Sequence, residues 1–355
     1  MTFTHMTFRQ MIVSSVLAFT IHTAPAFAET RSAGVMNFTF EAPQRDRLVQ
    51  SVVFYPADKG GYPEWIGDNP VFKGVLVQRD AKPELGKHKL IVVSHGSGGN
   101  AANLAWLAER LVQQGFVVII PNHQGSTSAD STPETTIPAV WQRPADISAL
   151  LDALSASPAL NAIADMTDIT ALGFSLGGQT VLSLAGIPVH AAGVARYCDD
   201  NPAAMECIWF DRGNPLIPGH VDLHKIDTAR FDMAYPESRI RRFIAIDPAF
   251  TPSIDPKDLR GVSASIQFMN LGTGETVPLD VRADKTAAAI QGARYDTIEG
   301  AWHFDFLGEC KRFGWFYIWM EGDDPVCSST GKRSRADLHE EIADKLIDFL
   351  KPGQS

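Results

Sequence analysis

Three short stretches of this 355-residue chain hold side chains able to break an acyl bond, and they lie far apart in sequence. The first, Gly173-Phe174-Ser175-Leu176-Gly177-Gly178, is a G-x-S-x-G between a predicted strand and a predicted helix. A serine in that setting sits on a turn so sharp that the residues two before and two after it must lack bulk. The turn lifts its hydroxyl over a helix N-terminus, where a nucleophile meets its substrate. The bland alternative is a glycine-rich strand-to-helix turn with an incidental serine. The second stretch, Ser94-His95-Gly96-Ser97-Gly98-Gly99, follows another strand. Its small residues let backbone N–H groups approach a developing oxyanion, and Ser97 and Leu176 are the expected donors. His95 is expected to brace this loop by hydrogen bonding. The third stretch, Gly300-Ala301-Trp302-His303-Phe304, lies just past the last predicted strand, which makes His303 the expected general base.

A histidine base needs a carboxylate to hold its proton on the far nitrogen. The commoner position follows the seventh predicted strand, in Leu271-Gly272-Thr273-Gly274-Glu275-Thr276-Val277-Pro278, but Gly274 stands where the aspartate would be. One strand earlier, Ala245-Ile246-Asp247-Pro248 ends a β run with an acid. Neighbouring strand ends are ~4.8 Å apart, so a carboxylate there still reaches the same histidine. Asp247 is therefore the expected acid, with Asp255, Glu275 and Asp280 as competitors. Other histidines fit less well: His88 precedes a strand at the wrong end of the sheet, His123 is a candidate for lining a pocket, and His339 falls on a helix expected to be exposed. His220 and His224 form an H-x₃-H pair with the spacing of metal ligands on a helix, but no third ligand is evident. They read better as polar residues of a cap.

Elements that could position these groups alternate along the chain. Apolar, β-branched runs at 48–55, 74–78, 89–94, 116–121, 168–173, 242–246, 264–271 and 293–298 read as eight strands, the opening pair antiparallel. Helical periodicity covers 100–114, 144–155, a segment from Leu176, and 335–350. That order predicts an α/β class with a mostly parallel eight-stranded sheet flanked by helices. Residues 189–240, rich in Pro, Asp, His and Cys, break the pattern and read as an irregular insertion forming a cap over the C-terminal sheet edge. One catalytic domain, 29–355, accounts for the rest.

Residues 1–28 carry one charge, Arg9, then an apolar run and Ala26-Phe27-Ala28, the pattern of a secretory signal cut after Ala28. The run is short of the ~20 residues that span a bilayer, so no stable membrane anchor is expected. A secreted or periplasmic protein meets oxidising conditions, and its four cysteines fall into two local couples, Cys198–Cys207 and Cys310–Cys327, one of three possible connectivities. A zinc site is the alternative, but no C-x₂-C pair is present. Hydrophobic residues make up 45% and charged residues 20% of the chain, enough apolar content for a large core. A net charge of −10 without a basic stripe argues against nucleic acid or an anionic membrane as partner and leaves a small molecule.

From about residue 90 to 310, the segments SHGSGG, GFVVIIPNHQGSTS, Arg143-Pro144-Ala145-Asp146, GFSLGG, AIDPAF and HFDFL together resemble the α/β-hydrolase branch containing predicted dienelactone hydrolases and platelet-activating-factor acetylhydrolases. The resemblance implies the α/β-hydrolase fold and a serine esterase that works without a cofactor. It also implies an acid after the sixth strand, which is Asp247. Dienelactone hydrolases proper use cysteine as nucleophile, and the serine here argues against dienelactone as substrate. The expected activity is cleavage of a small carboxylic ester through an acyl-enzyme on Ser175. An amidase or lactonase with the same groups is the nearest alternative, and a catalytically silent binding module is a more distant one. Trp302, Phe304, Phe306, Trp315, Phe316 and Trp319 are candidates for an apolar acyl pocket, or else simply pack.

Overall fold

The computed structural model describes residues 31–58, 60–214, 217–322, 324–328 and 333–351. The expected signal segment, 1–28, lies outside them. Ten strands form one sheet: β1 (Ser32–Phe40), β2 (Val49–Ala57), β3 (Tyr62–Ile66), β4 (Val75–Arg79), β5 (His88–Ser94), β6 (Val117–Pro121), β7 (Ala164–Phe174), β8 (Ile240–Ile246), β9 (Ser265–Leu271) and β10 (Arg294–Ile298). Their spatial order is β10-β9-β8-β7-β5-β6-β2-β1-β4-β3. The strands from β10 to β6 in this order are parallel, whereas β2 runs antiparallel to both β6 and β1.

The expected count of eight strands is corrected to ten. The two extra strands are β1, inserted between the expected opening strands, and β3, which pairs antiparallel with β4 at the sheet edge. The strands read at 48–55 and 74–78 are consequently not neighbours. Pro63 hid β3 from the sequence, since a proline inside a run argues against a strand except at an edge, where its missing N–H faces solvent.

β5 shows why the centre of the sheet is parallel. Its side chains alternate faces, Leu90 and Val92 on one side and Ile91 and Val93 on the other, and all four are buried. Helices cover both faces. Helix α1 (Ala105–Gln113) and the closing helix α7 (Arg335–Leu350) pack on the Ile91 side. Helices α2 (Gln142–Ala156) and α3 (Leu176–Leu184) pack on the Leu90 side. The last helix starts where the Ser334 hydroxyl accepts the Asp337 N–H, and Leu338, Ile342 and Leu346, four residues apart, enter the core. His339 shares that burial, which corrects the expectation that it is exposed. Its ring stacks on Trp106 with centroids 3.6 Å apart and faces the Asp305 and Leu307 carbonyls at 2.9 and 3.0 Å. No helix among the described residues is long and apolar enough to cross a membrane.

Residues 189–240 are more regular than their composition suggested. They contain α4 (Ala191–Asp200) and α5 (Met205–Arg212), and a Cys198–Cys207 disulfide joins the end of one to the start of the other. Val194 and Phe210 meet Leu176 and Phe250 in a third, smaller apolar cluster at the C-terminal end of the sheet. A second disulfide, Cys310–Cys327, encloses the helix α6 (Gly314–Glu321).

Candidate active site

Chain order reverses around β5: β6 lies on one side of it and β7 on the other. In an open α/β sheet the crevice beyond the strand ends at such a point is where a ligand fits. The loop 95–99 leaves β5 there, and Ser175 follows β7. Ser175 holds φ 56° and ψ −120°, a conformation that favours glycine. Close packing enforces it, because a Cβ on Gly173 would lie 2.0 Å from the Gly177 carbonyl oxygen, and one on Gly177 would lie 1.9 Å from that of Ser94. The turn is also pinned by the Ser175 N–H donating to the Ile246 carbonyl at 2.9 Å.

The structure brings Ser175, His303 and Asp247 together. The Ser175 Oγ and His303 Nε2 are 3.2 Å apart, and His303 Nδ1 and Asp247 Oδ2 are 2.9 Å apart. Asp247 is fully buried, and its Oδ1 accepts the Leu271 N–H at 2.9 Å and the Asn270 side-chain amide at 2.8 Å. With Nδ1–H donated to the carboxylate, Nε2 is left to accept from the serine hydroxyl. Phe174 packs its ring 4.7 Å from that of His303. Ser175, His303, Ser97 and Leu176 all line one cleft of about 330 Å³. Leu176 is the first residue of α3, so its N–H has no acceptor within the helix.

A sequence model of the alpha/beta hydrolase family matches residues 91–313. The chain belongs to the alpha/beta hydrolase family. No curated protein matches it. Among solved structures, a ferulic acid esterase from Streptomyces cinnamoneus superposes with a TM-score of 0.58 at 16% identity, over 92% of this chain and 91% of that one. A dienelactone hydrolase from Anabaena variabilis gives a TM-score of 0.46 at 12% identity, over 89% of this chain and 98% of that one. At such identity the likeness to the esterase is one of fold.

Within this alpha/beta hydrolase, the loop after β5 rests on a buried charged network whose Arg143 and Asp146 look in the sequence like no more than a helix start. The Arg143 guanidinium is 1% exposed and donates to the His95 carbonyl, to Ser126 Oγ at 2.7 Å and to Thr180 Oγ1 at 3.1 Å. Burial brings its pKa down to about 9. Three residues on, Asp146 takes Arg45 at 2.5 Å and His123 Nδ1 at 2.8 Å. His123 therefore braces the network and does not line the cleft. His95 has both ring nitrogens engaged, Nδ1 with the Gly96 carbonyl at 2.7 Å and Nε2 with the His123 N–H at 3.1 Å, which leaves no free lone pair for a base. Burial, then the charge of Arg143, holds its imidazole well below the usual range and hence neutral.

The remaining expected residues are scattered. His220 and His224 are exposed beside Asp211 and Asp199 respectively, and among the described residues no three His, Cys, Asp or Glu side chains converge as metal ligands. Of the six candidate aromatics only Phe304 lines the cleft; Phe306 is core, and Trp315, Phe316 and Trp319 are exposed on α6. The cleft instead takes Phe72, Phe174, Trp209, Phe210 and Phe250. Asp280 also lines it, and its carboxyl is pushed up by burial, against the pull of His303.

Proposed function

We propose that this protein hydrolyses small carboxylic esters. Ser175 attacks the ester carbonyl while His303 Nε2 takes its proton, and Asp247 keeps the imidazole in the right tautomer and stabilises it once charged. The N–H groups of Ser97 and Leu176 receive the oxyanion. His303 then returns the proton to the leaving alcohol, and a water activated by the same histidine releases the acid from the acyl-enzyme. Apart from the substrate and that water, every group in this sequence is a side chain or backbone amide of the chain itself.

The observation that carries the reading is the unbroken run of contacts from Ser175 Oγ through His303 to Asp247, 3.2 and 2.9 Å long, opening into a cleft of about 330 Å³. Export belongs to the same reading, with the signal removed after Ala28; two disulfides support an oxidising compartment. The test is a series of p-nitrophenyl esters from acetyl to palmitoyl, offered to wild type and to Ser175→Ala. Hydrolysis that drops on the order of 10³-fold or more in the variant is expected. Retention of more than a tenth of wild-type turnover by Ser175→Ala overturns it.

A further inference from the structure

Carboxyls with no task in that chemistry line the cleft, Glu206 among them. Glu206 is the second residue of α5, its position fixed by the disulfide at the adjoining Cys207. It lines the same cleft as Ser175, yet its Oε1 is shielded from solvent and has no hydrogen-bond partner among the described residues. Asp280 lines the cleft as well, and its charge acts on Glu206: burial first, then Asp280, pushes the Glu206 carboxyl well above its ordinary range. Among the described lining residues there is a third carboxyl, Asp324, and no lysine or arginine. A carboxylate oxygen removed from water without a partner is costly. Either it holds a proton or it awaits a cation.

Two features favour the cation. Glu206 sits in the first turn of a helix, where backbone dipoles favour the ionised carboxylate. One turn along the same helix, Trp209 and Phe210 also line the cleft, their rings 6.0 Å apart at 73°, with Phe250 a further 6.0 Å from Phe210. Aromatic faces attract a weakly hydrated cation and, unlike lysine, do not neutralise the acid in its absence.

We infer that Glu206, with Asp280 and the Trp209–Phe210 wall, forms a subsite for a quaternary or alkylated ammonium group. The substrate class it selects, resting on the ester-hydrolase reading, is an ester of an amino alcohol or of an amino acid-like acyl group. The cation enters beside Glu206 and thereby sets the ester carbonyl over Ser175.

Binding tests the subsite apart from catalysis. Titration of wild type with 3-(trimethylammonio)phenol and with 3-tert-butylphenol, a pair matched in shape but not in charge, should give at least tenfold tighter binding of the cation. Glu206→Gln should remove most of that ratio, and Glu206→Asp, which keeps the charge, should keep most of it. Equal or reversed affinity in wild type overturns the inference and assigns the two carboxyls as neutral acids; an undiminished ratio in Glu206→Gln also overturns it. Choline butyrate and 3,3-dimethylbutyl butyrate then report kcat/KM. If the cation preference holds in binding while Ser175→Ala leaves ester hydrolysis untouched, the subsite stands and the serine mechanism falls.

Discussion

Asn270 gives its side-chain amide to the oxygen of Asp247 that faces away from His303, at 2.8 Å. The Leu271 N–H meets the same oxygen at 2.9 Å, so both carboxylate oxygens are fixed and the plane of the acid is set for the imidazole. Asp247→Asn should therefore lower kcat by up to ~10⁴ with little change in substrate affinity, because the amide presents the wrong partner to Nδ1. Asn270→Ala should lower kcat by about tenfold, as expected when a group one contact removed from the histidine is lost. Glu275→Gln and Asp255→Asn, outside the cleft, should stay within about tenfold. An inactive Glu275→Gln beside an active Asp247→Asn would reassign the acid.

The turn at Ser175 predicts an intolerance to bulk at Gly177. Gly177→Ala drives a methyl to within 1.9 Å of the Ser94 carbonyl oxygen, at the base of the loop that carries Ser97. A loss of about 1–3 kcal/mol in unfolding free energy is expected. Hydrolysis should fall further than the folded fraction does, because the displaced backbone holds both proposed oxyanion donors. Denaturant melts alongside specific activity separate the two effects.

Peptide mapping of exported protein under non-reducing conditions should recover Cys198 with Cys207 and Cys310 with Cys327. Crossed pairs or free thiols contradict the structure. Cross-links between cysteines 9 and 17 positions apart each stabilise by about 2–3 kcal/mol in the chain-entropy picture, so reduction should lower Tm. Because Glu206 adjoins Cys207, reduction should also weaken the discrimination between charged and neutral esters before the sheet unfolds.

His339 makes a prediction about pH. Burial, against the Asp305 carbonyl that partly offsets it, brings its imidazole down to about 4 from about 6.5. Between those values the unfolded chain binds a proton at this residue that the folded chain does not, so acid favours unfolding there. The stability advantage of wild type over His339→Gln should hold constant above pH 6.5 and shrink by about 1.4 kcal/mol per unit as pH falls toward 4. Comparing the two proteins cancels the opposing acids Asp146, Asp280 and Asp305, whose raised carboxyls work in the other direction. A constant difference across the range would contradict the burial of His339.

The parallel core and the positions of Ser175, Asp247 and His303 were legible because each is dictated locally: strands buried on both faces read as apolar runs, and a sharp turn demands glycine at fixed offsets. The vacancy at Gly274 was informative for the same reason. What escaped was non-local. β1 mixes Asn37 and Thr39 with apolar residues because part of it faces solvent, and β3 is broken by Pro63. His339 looked like a surface residue on a helix because only Trp106, more than two hundred residues earlier, gives it a face to stack on. Arg143 and Asp146 appeared as helix-opening polar residues; their partners Arg45, His95 and His123 come from three other segments. Glu206 lay in a stretch read as irregular, although its neighbour Cys207 marked a cross-link there.

Most of the proposed cation subsite and the proposed catalytic groups come from different parts of the chain. Ser97, Ser175, Asp247 and His303 all fall outside residues 189–240, on loops and turns at the ends of central strands, whereas Glu206, Trp209 and Phe210 fall inside. The segment leaves the sheet after α3, returns at β8, and is cross-linked to itself by Cys198–Cys207. The proposed subsite is not confined to the segment, however: Asp280 lies outside it, and Phe210 packs with Leu176 and Phe250, so a change in the segment is felt beside Ser175. The disulfide-bonded segment and the catalytic loops therefore form one packed unit, in which a substitution on either side must be accommodated by the other.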